Sequence, residues 1–191
     1  MRKLTLADLA EPIAYERERS AFRARIIALK QNRRVPVGDC ITLVFENRET
    51  ARFQIQEMCR VEQIVEPEAI QAEVDVYNTL IPDDGELSAT FLVELDDAQK
   101  IRELLDRLVG VNETVFLEVD GNRIQARFDP GTYREDRLAA VHYLRFRLTP
   151  EAVQAFKSDG REIALLIDHP NYRGRTVLSG EVRRALAEDL G

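Results

Sequence analysis

The second half of the chain repeats one pattern twice, and this pattern constrains the fold more than any other feature of the sequence. A strand-like segment is followed by one or two helix-capping residues, an amphipathic helix and a second strand-like segment, over residues 89–119 and again over residues 140–168. Such units are typical of α+β proteins, in which helices cover a sheet. The shared outline is weak evidence of internal duplication.

A β-hairpin lies between the two units. Apolar and polar residues alternate over 115–119 and over 122–128, on either side of Asp120-Gly121. Asp-Gly between two alternating segments is a strong local signal for a two-residue turn. We expect Asp96 or Asp97 to cap the helix of the first unit, and Thr149 to cap that of the second.

The first half is predicted to be mainly helical. Pro12 suits the first position of a helix running to about Gln31, and Asn47 suits the N-cap of a second helix that ends by Val65. Further predicted elements are a connector (33–38), a strand (41–46) and a third helix (68–77) opened by Pro67. We therefore expect one compact α+β domain, with a helical part (about 1–84) and a sheet-rich part (about 85–191). Its helices should pack on a mixed, mainly antiparallel sheet.

The stretch FENRETARFQIQEM (residues 45–58) opens the second helix. At 100° per residue, its polar residues form one narrow stripe: Arg52, Gln56, Arg60 and Gln63. The remaining apolar arc is about twice as wide as that of an ordinary surface helix. The pattern predicts a central helix that is packed on two sides.

Gln54, Glu57 and Glu62 interrupt this apolar arc, and only Glu62 lies near its edge. A buried carboxylate is costly unless it is paired or protonated. Glu57 therefore needs a partner, which we expect to be an arginine of the first helix or Arg48. Alternatively, Gln54 and Glu57 line a polar pocket in which Glu57 is a base, a ligand or an anchor.

Two further residues are candidates for such a pocket. His142 alternates with apolar residues on its predicted strand, which indicates either a hydrogen-bonded core histidine or an acid/base group. Tyr77 closes the third helix beside Asn78, a favoured C-cap residue. Under the pocket hypothesis, the protein is an enzyme or a small-molecule sensor whose binding residues are Arg48, Gln54, Glu57, Tyr77 and His142. Arg48 would anchor an anionic ligand, and Glu57 or His142 would move protons.

Charge is distributed unevenly along the chain. Residues 1–34 hold nine Lys/Arg and four Asp/Glu, a net charge of +5. Because the whole chain has a net charge of −7, the remaining residues have a net charge of −12. The apolar spacing of Tyr15, Phe22, Ile26 and Leu29 indicates that the first helix docks, either on its own acidic body or on a neighbouring subunit. We expect no nucleic-acid binding, because aromatic and basic residues do not interleave.

Composition argues against several other classes of protein. Cys40 and Cys59 have neither disulfide-framework nor zinc spacing, and we expect both to be buried thiols in a reducing compartment. We expect no metal or cofactor, although a carboxylate site would use Glu46, Glu57 or Asp168. The chain has neither a membrane-spanning apolar run nor a secretory signal, so we expect a cytoplasmic protein.

Several blocks of the sequence together resemble an uncharacterised bacterial family, domain of unknown function 3501. They are RVPVG (34–38), FENRETARFQIQEM (45–58), YNTLIP (77–82), GELSAT (85–90), HYLRFRLTPE (142–151) and IDHPNY (167–172). The resemblance covers essentially the whole chain. It implies a redox or oxidative-stress setting with rubrerythrin-like or iron–sulfur oxidoreductase partners, and it supplies no catalytic residues. The first functional hypothesis is therefore an accessory protein that docks on a redox partner or on itself through complementary charge.

Overall fold

The computed structural model describes residues 1–95, 97–131 and 138–191. These residues form six α-helices: α1 (Pro12–Gln31), α2 (Arg48–Val61), α3 (Pro67–Asn78), α4 (Ala98–Arg107), α5 (Pro150–Lys157) and α6 (Gly180–Asp189). Asn47 caps α2 by accepting hydrogen bonds from the backbone N–H groups of Glu49 and Thr50, as its sequence position predicts. Asp97 caps α4. The alternative cap, Asp96, lies outside the described residues.

The described strands form two antiparallel sheets. They are β1 (Arg34–Val37), β2 (Ile41–Glu46), β3 (Glu86–Val93), β4 (Val115–Val119), β5 (Asn122–Gln125), β6 (Arg127–Phe128), β7 (Val141–Arg147), β8 (Ile163–His169) and β9 (Tyr172–Val177). The first sheet has the order β1-β2-β3-β7-β6, and the second has the order β5-β4-β8-β9. The α+β class is thus confirmed, with the strands divided between two sheets rather than placed in one.

The two sheets meet at both edges and enclose a barrel-like core. At one edge the chain passes from β5 through Ala126 into β6, and so leaves the second sheet for the first. At the other edge β9 contacts β1, where the Tyr172 hydroxyl donates to the Val37 carbonyl at 2.6 Å. Residues from both sheets, together with Phe156 of α5 and Leu186 of α6, form the large apolar cluster inside.

Each predicted strand–helix–strand unit crosses between the sheets. The first unit runs from β3 through α4 to β4, and the second runs from β7 through α5 to β8. In the first sheet β3 pairs with β7, and in the second sheet β4 pairs with β8, both antiparallel. The two units are therefore related by an approximate two-fold arrangement, which agrees with the outline that they share in the sequence.

The helices α1, α2 and α3 form a separate layer beside the first sheet. Two smaller apolar clusters hold this layer together, one around Ala51, Ile55 and Val74, the other around Tyr15 and Phe22. Two strands differ from the sequence-based expectation. The predicted connector 33–38 contains the strand β1, and residues 172–177, for which the sequence predicts no element, form β9.

The surface of α2 also differs from the prediction. The helix contacts both α1 and α3, as a helix packed on two sides should. However, Gln56, placed in the exposed polar stripe, is buried, and Val61, placed in the apolar arc, is 60% exposed. The Gln56 amide can be buried because both of its polar atoms are hydrogen-bonded. It accepts a hydrogen bond from the Ala10 N–H at 2.7 Å and donates one to the Ala10 carbonyl at 3.2 Å.

Candidate functional site

The outer face of the first sheet, which points away from the barrel core, carries an unusual row of polar side chains. Along β2, core residues such as Leu43 and Phe45 alternate with residues of the opposite face, and the same alternation continues in β3 and β7. The strand register places Glu46 beside Ser88 and Ser88 beside Arg145. It likewise places Thr90 beside Tyr143. The helical layer covers part of this face.

A cavity of about 260 Å³ lies where the helices meet this face. We call it the polar cavity; its lining consists of Lys30, Arg34, Val44, Glu46, Gln54, Thr90, Leu92 and Tyr143. The Glu46 side chain is only 2% exposed. It accepts a hydrogen bond from the Thr90 hydroxyl at 2.7 Å and another from the Gln54 amide at 3.2 Å. Both donors are electrically neutral.

Tyr143 separates the polar cavity from a neighbouring one. It lines the polar cavity on one side and, on the other, a cavity of about 240 Å³ that also includes Ser88, Asp129 and Arg145. Burial raises the pKa of the Tyr143 hydroxyl, and the carboxylates of Glu46 and Asp129 raise it further. The phenol therefore stays protonated at neutral pH.

The two basic residues of the polar cavity have different surroundings. Arg34 forms an ion pair with Glu94, with one guanidinium nitrogen 2.5 Å from a carboxylate oxygen. Lys30 is half-buried and forms neither an ion pair nor a side-chain hydrogen bond among the described residues. Lys30 thus contributes a basic residue to the lining of the polar cavity, without a direct ion pair to these residues.

Glu57, the carboxylate that lies within the predicted apolar arc of α2, forms an ion pair with Arg19. Its carboxylate accepts hydrogen bonds from Nε and Nη2 of Arg19 and from the Tyr15 hydroxyl, each at 2.7 Å. Arg60 adds a longer ion pair at 3.4 Å. The hydrogen bonds from Arg19, followed by that from Tyr15, lower the pKa of Glu57 to about 2, against the opposing effect of burial. The expected pairing with an arginine of the first helix is confirmed.

The other predicted site residues lie in separate places. Arg48 forms an ion pair with Asp8 at 2.5 Å. Tyr77 packs against the apolar cluster around Val74, and burial raises its pKa, with a smaller contribution from Tyr143. Among the five predicted binding residues, only Gln54 lines the polar cavity.

His142 lies on the opposite side of the first sheet from the helical layer. It is 0% exposed, packs against the rings of Phe91 and Phe128, and alternates with the core residues Leu144 and Phe146. Its Nε2 atom lies 2.8 Å from the Ala139 carbonyl oxygen. The expected pocket shared by Glu57 and His142 is therefore not formed, because the sheet separates the two side chains.

Comparison with known proteins places the chain in a family. A family model described as "Protein of unknown function (DUF3501)" matches residues 3–190. The chain belongs to the DUF3501 family. Its structure is similar to the crystal structure of a novel protein of unknown function from Burkholderia pseudomallei K96243. The two share 36% identity and a TM-score of 0.92, and the match covers 100% of both chains. No curated protein matches the sequence.

The family is described as one of unknown function, so the chemistry of the site has to be inferred from its residues. Within the described ranges, no three His, Cys, Asp or Glu side chains are grouped so that they could hold a metal ion. No helix in the same ranges is long and apolar enough to cross a membrane. Cys40 is buried as expected, whereas Cys59 is only half-buried, and desolvation raises the pKa of both thiols.

Sequence reasoning missed most of the polar cavity, although one signal was present. Glu46 was considered only as a carboxylate ligand, and Lys30, Thr90 and Tyr143 were not singled out. Within the predicted strand 41–46, Glu46 alternates with the apolar residues Leu43 and Phe45, which places it on the opposite face. The contact between Glu46 and Gln54 could not be predicted, because it depends on how α2 packs against that face.

Proposed function

We propose that the protein binds a small metabolite that carries both a protonated amine and an acidic group, and that it does so in the polar cavity. One observation carries the proposal: Glu46 is 2% exposed on the cavity wall, yet its hydrogen bonds come from two neutral groups. None of the ion pairs among the described residues includes Glu46. This extends the alternative of a small-molecule sensor, with the pocket placed at Glu46 instead of Glu57.

The charge on Glu46 explains why an amine is the preferred ligand group. A buried carboxylate loses its hydration, and two neutral hydrogen bonds recover only part of that free energy. A ligand ammonium would provide an opposite charge and fill the remaining acceptor positions on the carboxylate. The aromatic ring of Tyr143 lies in the same wall, where it can contact the same ammonium group.

Lys30 is the reason why we expect the ligand to carry an acidic group. A ligand with a positive charge alone would be repelled by Lys30 and Arg34 in the same lining. Arg34 is already paired with Glu94, so Lys30 is the cation available to a ligand carboxylate. The volume of about 260 Å³ lies below the roughly 300–1,000 Å³ of pockets for drug-sized ligands, and it suits a molecule the size of an amino acid.

A thermal-shift screen followed by calorimetry tests the proposal. The probes are the common amino acids, the corresponding 2-hydroxy acids, which lack the amine, and the corresponding decarboxylated amines. We expect one or more amino acids to raise the melting temperature, since a ligand that binds only the folded state stabilises it. Both truncated series should bind more weakly.

Two variants assign the binding to this cavity. Glu46→Gln keeps an acceptor for Thr90 but removes the charge, and should weaken binding of the amino acid by roughly 10–100-fold. Lys30→Met should weaken amino-acid binding, whereas the decarboxylated amine should bind as well as before or more tightly, because the variant removes a repulsive charge. Glu49→Gln, a partly exposed carboxylate on the same helical layer, is the matched control and should bind as the wild type does. Binding that is unchanged in Glu46→Gln would overturn the proposal, as would a screen with no hit.

Docking on a protein partner is the second candidate, and the redox nature of that partner follows from the family resemblance alone. Among the nine basic residues of segment 1–34, Arg2, Lys3, Arg19, Arg33 and Arg34 form ion pairs within the chain. Arg17, Arg23 and Arg25 are exposed on α1 and form no ion pair among the described residues. This observation favours α1 as the docking surface.

A tagged pull-down from native extract, at low and at high salt, tests this second candidate. Recovery of a rubrerythrin-like or iron–sulfur oxidoreductase protein at low salt only would support it, because ionic strength screens contacts between exposed charges. Recovery of such a partner irrespective of salt would contradict the role of α1 charge.

A further inference from the structure

A cavity separate from the polar cavity lies where three helices come together. Its volume is about 270 Å³, and it is bordered by the start of α1, the end of α2 and the start of α3. We call it the apolar cavity, because its lining is mainly apolar and includes Leu9, Pro12, Tyr15, Cys59, Ile64 and Ile70. Among the described residues, none lines both this cavity and the polar cavity. A concave apolar surface with few polar groups is typical of small-molecule sites.

The end of α2 forms one wall of the apolar cavity. Gln63 adopts a left-handed conformation, with φ at 55°, and the Ile64 N–H donates to the Cys59 carbonyl at 2.9 Å. Helices commonly end with this hydrogen bond, usually with glycine at the left-handed position. The turn brings the chain back along α2, so that Ile64 and Cys59 line the cavity together. Val65, also in the lining, is 62% exposed, so the apolar surface continues to the opening.

Two polar side chains in the lining already have partners within the protein. The Gln56 amide is hydrogen-bonded to the backbone of Ala10. The Tyr15 hydroxyl donates to the Glu57 carboxylate at 2.7 Å. A polar ligand group placed among these residues would lose its hydration with little hydrogen bonding in return. The part of a ligand that enters the cavity is therefore apolar.

Arg60 is a basic residue of the same lining, and its guanidinium lacks a close partner. Its side chain is only 34% exposed, yet it donates no hydrogen bond to the described residues. It lies 3.4 Å from Glu57, whose two oxygens Arg19 already binds. Glu16 is 4.0 Å away and 57% exposed. A ligand carboxylate would form the close, charge-assisted hydrogen bonds that Arg60 lacks, with Glu16 as a weak competitor.

From this geometry we propose that the apolar cavity binds a small carboxylic acid with an apolar chain. The carboxylate pairs with Arg60, and the chain fills the space beside Cys59, Ile64 and Ile70. The volume lies below the roughly 300–1,000 Å³ of pockets for drug-sized ligands, which suits a short chain such as that of octanoate. This site is independent of the amino-acid site proposed above, so the failure of one leaves the other standing.

Calorimetric titration with octanoate and octanamide tests the role of the carboxylate. The two probes have the same chain and nearly the same shape, but only octanoate is charged at neutral pH. We expect octanoate to bind roughly 5–10-fold more tightly than octanamide, because it alone forms an ion pair with Arg60. Equal affinities, or no binding of either probe, would refute the proposal.

Two variants assign the carboxylate to Arg60. Arg60→Met keeps an unbranched apolar side chain in the lining, and it should lower the affinity for octanoate to that for octanamide. Glu16→Gln removes the competing carboxylate and should tighten octanoate binding by roughly 2–5-fold. Arg102→Met, the same change at an exposed position of α4, is the matched control and should bind octanoate as the wild type does. Circular dichroism verifies that each variant is folded. Octanoate binding that is unaffected by Arg60→Met would contradict the assignment.

The two cysteines report where the chain of the ligand lies. Cys59 lines the apolar cavity, whereas Cys40 lies elsewhere, beside Tyr172. Modification by N-ethylmaleimide, followed by peptide mass spectrometry, measures the two rates in one sample. Bound octanoate should slow the modification of Cys59 more than that of Cys40. An equal effect on both thiols would show that octanoate acts through overall stability, and it would refute binding in this cavity.

Discussion

Glu57 links α2 to α1, although its side chain is partly exposed. Its side chain is 23% exposed, and Arg19 of α1 binds both of its oxygens. Bidentate pairing of this kind fixes geometry as well as charge. Because the first-helix arginines were known from the sequence, this pairing could be predicted. The burial of Gln56 could not, since its partner is the backbone of Ala10, and backbone partners leave no trace in side-chain periodicity.

The pair makes stability depend on pH in a defined window. The pKa of Glu57 is about 2 in the folded state against 4.5 when unperturbed, so the folded state favours the carboxylate. This stabilisation is complete above about pH 4.5 and is lost as the pH falls towards 2. Glu57→Gln should therefore lower the free energy of unfolding by about 2 kcal/mol at pH 7, allowing for partial exposure, and by much less near pH 3.

Urea unfolding of the wild type and Glu57→Gln at both pH values checks this expectation. Taking the difference between the two proteins removes the effects of the other carboxylates, which titrate equally in both. Glu62→Gln, an exposed change at the end of α2, should have little effect at either pH. A difference that does not vary with pH would mean that the charge of Glu57 contributes nothing.

Among the elements, β1 and β9 close the barrel although neither carries a clear strand signal. Segment 34–37 is short and contains Pro36, and segment 172–177 alternates half-buried and exposed residues without an apolar face. Strand signals depend on an apolar face, so edge strands of this kind are recognised only when their neighbours are known. The helices were predicted well because proline and capping residues mark their ends locally, as Pro12, Asn47 and Pro67 do.

The contact between β1 and β9 depends on the absence of a side chain at Gly174. A Cβ atom there would lie 2.9 Å from the Gly38 nitrogen and 3.0 Å from the Val37 carbonyl carbon. Backbone atoms cannot rotate away, so β9 would have to shift and strain the bond from Thr176 to the Pro36 carbonyl. We expect Gly174→Ala to destabilise the protein by about 1–3 kcal/mol.

Thermal and urea unfolding would measure this cost. Gly180→Ala is the matched control, because a Cβ atom at Gly180, the first residue of α6, would contact nothing within 4 Å. That change should be neutral or stabilise by about 0.4–1 kcal/mol, since alanine restricts the unfolded chain. Equal effects of the two substitutions would show that β9 does not pack tightly against β1.

At the scale of the whole molecule, the chain combines a barrel-like core with a helical layer that has its own small clusters. The α+β class followed from the sequence because helix and strand periods differ clearly. The division into two sheets did not, since each strand–helix–strand unit has the same local pattern whether its strands share a sheet or not. The polar cavity could not be predicted from local patterns either, because Lys30, Glu46 and Tyr143 come from three elements that are far apart in sequence.

This architecture predicts unequal stability within one chain. The paired strands β3, β7, β4 and β8 surround the large core, whereas α1 is held by a small cluster and by contacts such as Arg19–Glu57. Amides of α1 should therefore exchange through local opening, at a free energy well below that of global unfolding. Hydrogen exchange with mass spectrometry in increasing urea would measure both free energies. If α1 and the central strands open with the same free energy and urea dependence, the layer and the barrel unfold as a single unit. If α1 opens first, Glu57→Gln should lower its opening free energy and leave that of the central strands nearly unchanged.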